Sequence, residues 1–286
     1  MSKDSNKLSL PVPVQAPEHT NHLNMLLYGE TGVGKTYLIG SSQEVEDMFP
    51  MLLIDVEGGT LSIEGRDVDV VRPQSWADMQ GIYDFLRNGD HKYKSVAVDS
   101  LTEVQQKLSI GTITGEIDDA GGFKNLGRTP QMDPGQWGDT NNQMLKVTRA
   151  FRDLAYLPDE DRRLHVILTS LEKEDKKKSI VCPDLSGKAG VGVGGLVDIL
   201  ARLTVVAVED AETKKVTMER FLLLDRHESE TGLVYQAKNR GNRLGRGMWN
   251  PTMLELVDRW SGKSKAASVE MPVEPEVKKD EDDDDE

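Results

Sequence analysis

The chain has 286 residues, with 35 Lys and Arg against 49 Asp and Glu, a formal net charge of −14, five His and one Cys. A chain of this size can bury a substantial core. The lone Cys182 excludes an internal disulfide framework and fits a reducing compartment. No stretch approaches the roughly 18 consecutive apolar residues of a membrane span, and residues 1–22 lack the apolar run of a secretion leader. The expectation is a soluble, cytoplasmic protein without a membrane partner.

In chain order, residues 1–22 read as a disordered arm, since prolines alternate with small residues over 10–17. Short apolar runs at 24–28 and 51–56, ended by Gly29 and by Gly58 and Gly59, read as buried strands, and 35–49 between them suits a helix. The alternation continues with a strand at 68–71, a helix at 76–86, a strand at 95–98, a helix at 144–155 and a strand at 164–169. This is the pattern of an α/β fold, a mostly parallel sheet with helices on both faces. Residues 202–208 and 216–224 flank a charged turn and read as a hairpin. A strand at 233–237 is expected to extend the sheet antiparallel, and a helix at 252–260 to close one folded domain spanning 23–262. Residues 263–286 read as a disordered tail. From Glu270 onward there are ten carboxylates and two lysines, a net of −8, and such a segment buries too little apolar surface to offset its ordering entropy.

Gly29, Glu30, Thr31, Gly32, Val33, Gly34, Lys35 and Thr36 match G-x-x-x-x-G-K-[ST] between an expected strand and an expected helix, the context this motif requires. Its glycines let successive backbone N–H groups and the helix start face a phosphate. Lys35 would contact the β- and γ-phosphates of ATP, and the Thr36 hydroxyl would ligate Mg²⁺. Asp99 ends an apolar strand where ligands bind in open α/β sheets, and is the expected second Mg²⁺ residue.

Hydrolysis further needs a group that orients and activates water. In many ring ATPases a Glu directly follows the magnesium-binding Asp, but here Ser100 does. Asp55 and Glu57, two apart at the end of the 51–56 strand, share a face and leave two candidates. Glu57 is preferred because Gly58 and Gly59 after it permit close approach.

The segment 54–58 resembles the second-strand signature of the RecA and recombinase family. That resemblance implies a RecA-like P-loop NTPase core with antiparallel C-terminal strands, and assigns the catalytic base to Glu57. Residues 166–171 resemble the family's nucleotide-sensing strand, but Leu171 replaces its glutamine, so coupling of ATP to DNA would pass through Thr169, Ser170 or Glu172. Residues 237–240 resemble a Lys-Asn-Lys motif whose cations reach a neighbour's γ-phosphate, which implies that Lys238 and Arg240 act in trans within a homo-oligomer. The length, the glycines after Glu57, the 182–188 segment and the acidic tail look like the small phage RecA-like ATPases that anneal single-stranded DNA; a phage protein would work in the host cytoplasm.

Two stretches are expected to lack regular structure, 111–142 and 172–196, and in the family the corresponding loops touch DNA. Lys173, Lys176, Lys177, Lys178 and Lys188 would neutralise phosphates of single-stranded DNA. Phe123 and Trp137 could stack bases or pack under their loops. The tail could aid solubility, compete with DNA or dock a protein partner. The scattered histidines predict no zinc site. These readings converge on a Mg²⁺-dependent, DNA-stimulated ATPase acting on single strands in recombination, by annealing or strand exchange. The alternatives are a helicase or loader motor and a nucleotide-gated scaffold.

Overall fold

Continuous apolar cores, with polar residues mostly at their ends and no strict alternation, form the central strands, as expected where both faces of a sheet are covered. The computed structural model of the chain describes residues 19–118, 121–127, 131–210 and 212–272. In chain order the strands are β1 (Asn24–Tyr28), β2 (Met51–Asp55), β3 (Asp69–Val71), β4 (Ser95–Asp99), β5 (His165–Ser170), β6 (Glu172–Asp175), β7 (Ile180–Pro183), β8 (Ile199–Glu209), β9 (Val216–Leu223), β10 (His227–Glu228), β11 (Val234–Tyr235), β12 (Lys238–Asn239) and β13 (Gly247–Trp249). The main sheet runs β13-β9-β8-β1-β5-β4-β2-β3, with β12 pairing β8. From β8 to β3 all neighbours are parallel, whereas β9, β12 and β13 add on antiparallel. The result is a mixed, mostly parallel sheet flanked by helices.

The helices are α1 (Lys35–Gly40), α2 (Trp76–Asn88), α3 (Leu101–Glu103), α4 (Gly111–Thr114), α5 (Pro134–Asp153), α6 (Ala189–Leu196) and α7 (Met253–Ser261). Alternate residues of β1 serve opposite layers. Leu26 and Tyr28 join the cluster under α2, α5 and α6, while Met25 and Leu27 join the one under α1 and α7.

Several expectations are corrected. The helix foreseen to reach residue 49 stops at Gly40, where Ser41 and Ser42 turn their hydroxyls back onto the carbonyls of Leu38 and Ile39. The helix foreseen from 144 starts ten residues earlier, at Pro134, held by a reciprocal cap between Asp133 and Gln136. The stretch 111–142 therefore contains α4 and the first nine residues of α5, and a π-helix (Val104–Ile110) leads into it. The stretch 172–196 forms the β6–β7 hairpin and α6. The strand near 233–237 does not extend the main sheet: β11 pairs parallel with β7 in a separate four-stranded sheet, order β10-β11-β7-β6.

The expected domain limits of 23 and 262 are also crossed. Thr20 is buried, its carbonyl accepting the Trp260 indole N–H at 3.0 Å. Lys263 pairs with Asp47, and the Trp249 indole donates to the carbonyl of Glu270. The remainder of the expected arm and most of the acidic tail lie outside the described residues. No helix among the described residues is long and apolar enough to cross a membrane.

Candidate functional site

The buried end of β1 delivers the chain into the glycine loop. A Cβ on Gly29 would sit 2.2 Å from the carbonyl oxygen of Leu203 on β8, so only glycine lets the loop rest on that strand. Gly32 and Gly34 take φ of 81° and 100°, in the left-handed region. The curl ends where α1 begins, at Lys35. Lys35 is buried, and its Nζ donates to the carbonyls of Gly29 (2.9 Å) and Glu30 (2.8 Å) across the loop. Burial lowers its pKa from the ordinary lysine value, against the opposing pull of Glu57, Asp99 and Glu172.

Asp99, at the tip of β4, is buried. Its Oδ2 accepts from Thr36 Oγ1 at 2.6 Å and its Oδ1 from Thr169 Oγ1 at 2.5 Å. Two hydroxyls from different elements thus fix one carboxylate beside the glycine loop. Thr36 and Asp99 form an all-oxygen donor pair of the kind Mg²⁺ accepts when substrate phosphates and water complete its shell. Among the described residues no group of three or more His, Cys, Asp or Glu side chains could hold a metal by itself.

The structure separates the two carboxylates that strand period left equivalent. Asp55 pairs in register with Asp99 but is spent on local structure: Oδ1 accepts from the amides of Gly58 (2.6 Å) and Gly59 (3.3 Å), and Oδ2 from Arg72 Nε (2.9 Å). Val56 and Glu57 both donate their amides to the carbonyl of Asp99, which carries Glu57 past the strand end beside the loop. The Glu57 side chain is exposed. Its pKa is nevertheless raised from the ordinary carboxylate value, first by desolvation and then by the charge of Asp99, with Lys35 opposing. A carboxylate near a phosphate loop with raised proton affinity is suited to accept a proton from water.

A phosphate-type loop between a parallel strand and a helix, with a magnesium-type Asp two strands away, is the arrangement of a P-loop NTPase. A family model described as an AAA domain matches residues 21–240. The chain belongs to this AAA domain family. No curated protein matches it. An AAA ATPase domain is therefore present, consistent with nucleotide binding and hydrolysis.

The other residues singled out from sequence are distributed around this AAA domain. Lys238 lies opposite Leu200 on β8, and Leu200 opposite Leu26 in the middle of β1, while the Arg240 amide donates to the carbonyl of Asp198, level with the start of that strand. Lys238 Nζ donates to the carbonyls of Gly194 and Val197, both at 2.6 Å, and burial lowers its pKa. Arg240 pairs with Asp198 at 3.0 Å, and Asp198 also accepts from the Tyr156 hydroxyl.

Lys176, Lys177 and Lys178 are exposed together at the turn of the β6–β7 hairpin, Lys178 pairing with Asp175 at 3.1 Å. Lys173 instead donates to the carbonyl of Leu185 and lies 3.5 Å from Asp184, and Lys188 is exposed at the start of α6. Phe123 and Trp137 are exposed as well. At the departure from the sensor pattern, the backbone N–H of Leu171 donates to Thr102 Oγ1 (3.0 Å), and Ser170 Oγ lies 3.0 Å from the same hydroxyl. Thr169 is the member of that strand that touches Asp99.

Arg220 was not foreseen. It sits on β9, far in sequence from any motif, and its Nε donates to the carbonyl of Val33 inside the glycine loop at 2.9 Å. No spacing rule links residues 33 and 220; only the antiparallel addition of β9 to β8 brings them together.

Proposed function

We propose that this AAA domain is a RecA-like ATPase that binds ATP with Mg²⁺ and works as a homo-oligomer on single-stranded DNA in recombination, by annealing or strand exchange. The observation that carries the reading is the position of Glu57. It follows β2, the strand beside Asp99, with its amide on the Asp99 carbonyl, and Ser100 follows Asp99 where many ring ATPases have their base.

In this reading the amides of residues 29–36 cradle the phosphates, and Lys35 exchanges its loop carbonyls for phosphate oxygens. Glu57 orients a water for in-line attack and takes its proton. Thr36 and Asp99 would hold Mg²⁺, which when bound neutralises phosphate charge. Thr169, bonded to Asp99, is the residue through which nucleotide state would pass into β5 and the lysine-bearing hairpin that follows. Lys238 and Arg240 would act on the nucleotide of a neighbouring subunit. The exposed lysines at 176–178 and Lys188 supply sequence-independent phosphate contacts.

The test is the ATPase rate with and without single-stranded DNA over a salt series. Stimulation that fades as salt rises is expected. A rate indifferent to DNA at every salt concentration rules out the DNA half of the proposal and leaves the ATPase half standing.

A further inference from the structure

Arg220 makes a contact that the nucleotide reading leaves unexplained. Its backbone is pinned on both sides: its N–H donates to Asn250 Oδ1 (3.1 Å) and its carbonyl accepts from the amide of Asn250 (2.7 Å). From there the side chain crosses to the glycine loop, where Nε meets the carbonyl of Val33 at 2.9 Å. The guanidinium occupies the space that a side chain at Gly34 would fill. A Cβ there would stand 2.6 Å from Nε and 3.1 Å from both Cζ and Nη2. Gly34 is therefore favoured by its φ of 100°, and any side chain there would push the arginine off the loop. Beyond the loop, Cζ of Arg220 lies 5.2 Å from the ring centroid of Tyr37 on α1, and Arg66 approaches the same ring at 4.7 Å. Both distances are within cation–π range.

The consequence follows from peptide geometry. In a planar trans peptide the C=O and N–H point in opposite directions, so fixing the oxygen of Val33 fixes the direction of the Gly34 N–H. That N–H belongs to the row of loop donors that face a phosphate. A charged donor on the oxygen also polarises the same peptide and strengthens its N–H as a donor.

We propose that Arg220 is a positioning residue for nucleotide binding: it holds the Val33–Gly34 peptide so that its N–H faces the phosphates, and braces the loop against Tyr37. This rests on the reading of residues 29–36 as a nucleotide cradle. The contact is to the loop backbone and not to the γ-phosphate, so its expected support is the same for ground state and transition state.

The test compares the full chain with Arg220→Ala and Arg220→Lys, measuring ATP and ADP affinity by equilibrium binding, KM and kcat for ATP, and the melting midpoint without nucleotide. Arg220→Ala is expected to weaken ATP and ADP equally, by about tenfold, with KM rising and kcat at saturation changing less than about threefold. Arg220→Lys, which keeps one charged donor, is expected to recover part of the affinity. If the alanine variant fails to fold, the lysine variant carries the test, with a smaller but equal loss for both nucleotides expected. Undiminished affinity in a folded variant overturns the inference, and so does a fall in kcat with ATP and ADP affinity intact. Wild-type protein that bound neither nucleotide would bring down the ATP reading and this inference with it, whereas wild-type binding matched by Arg220→Ala brings down this inference alone.

Discussion

Thr36 and Asp99 are joined by a 2.6 Å hydrogen bond from hydroxyl to carboxylate, which ties the first turn of α1 to the tip of β4 across the intervening strand β5. Asp99 is buried, so a lost donor leaves part of a charged group without compensation. Thr36→Val keeps the shape and removes the hydroxyl. It is expected to lower stability by about 1–3 kcal/mol and to abolish Mg²⁺-dependent turnover. Chemical denaturation read beside ATPase rate checks both; unchanged turnover removes Thr36 from the metal-holding pair.

Glu57 and Asp55 should part company on mutation. Glu57→Gln is expected to retain ATP binding while turnover falls by about 10²-fold or more, the usual worth of a general base. Asp55→Asn strips charge from a carboxylate that closes the turn at Gly58 and Gly59 and pairs with Arg72, so its main expected effect is lower stability. Parallel melting curves and single-turnover rates separate the two. A Glu57→Gln enzyme as fast as wild type would hand the base role to another group.

The order of β1, α1, β2, α2, β4 and β5 could be read from apolar runs and glycine boundaries because each strand there is buried on both faces and tolerates little else. The start of α5 could not, because residues 134–143 are mostly polar and its onset is set by the local cap at Asp133. The placement of β11 was also hidden: two-residue strands carry no period, and the partner β7 lies in a hairpin that reads from sequence as a lysine-rich loop. Within the site, the glycine loop and Asp99 were legible because their chemistry is tied to local spacing. That Asp55 closes a turn on the amides of Gly58 and Gly59 could not be read from strand period, which leaves Asp55 and Glu57 alike. Arg220 needed the tertiary register of β9.

The acid side of the rate profile should carry the mark of Glu57. Its pKa is raised by desolvation and by Asp99, and a base works only when ionised. The kcat is therefore expected to fall with decreasing pH through a midpoint above the ordinary carboxylate range, and Asp99→Asn, by removing a neighbouring negative charge, should move the midpoint of the residual activity down. A profile flat to the ordinary carboxylate range would mean that proton transfer to Glu57 does not limit the rate.

Mixed oligomers test action across an interface. Lys238→Ala and Glu57→Gln are each expected to be inactive alone, and a mixture should regain activity because some interfaces then pair an intact Glu57 loop with an intact Lys238. The proportion of such interfaces peaks near equal mixing, so the rate should pass through a maximum there. Failure at every ratio would confine Lys238 to the structural contacts it makes with the carbonyls of Gly194 and Val197.

Stability should itself depend on pH, through His165. The ring is buried, its Nδ1 accepts the Leu23 N–H at 3.0 Å, and it lies 5.0 Å from the His22 ring. Burial, aided by the charges of His22 and Lys263 and opposed by Asp47, pushes its pKa down to about 3 from the usual 6.5. The folded protein therefore keeps His165 neutral while the unfolded chain takes up a proton near pH 6.5. The stability this group contributes is complete above that pH and is lost as pH falls toward 3, with a slope of up to about 1.4 kcal/mol per pH unit. His22, also lowered mainly by burial, adds to the loss with the same sign. Denaturation midpoints measured from pH 7.5 to 4.5 should fall steadily, and more shallowly in His165→Asn, which can still accept the Leu23 N–H but cannot titrate. Equal slopes in the two proteins would mean that acid acts elsewhere in the fold.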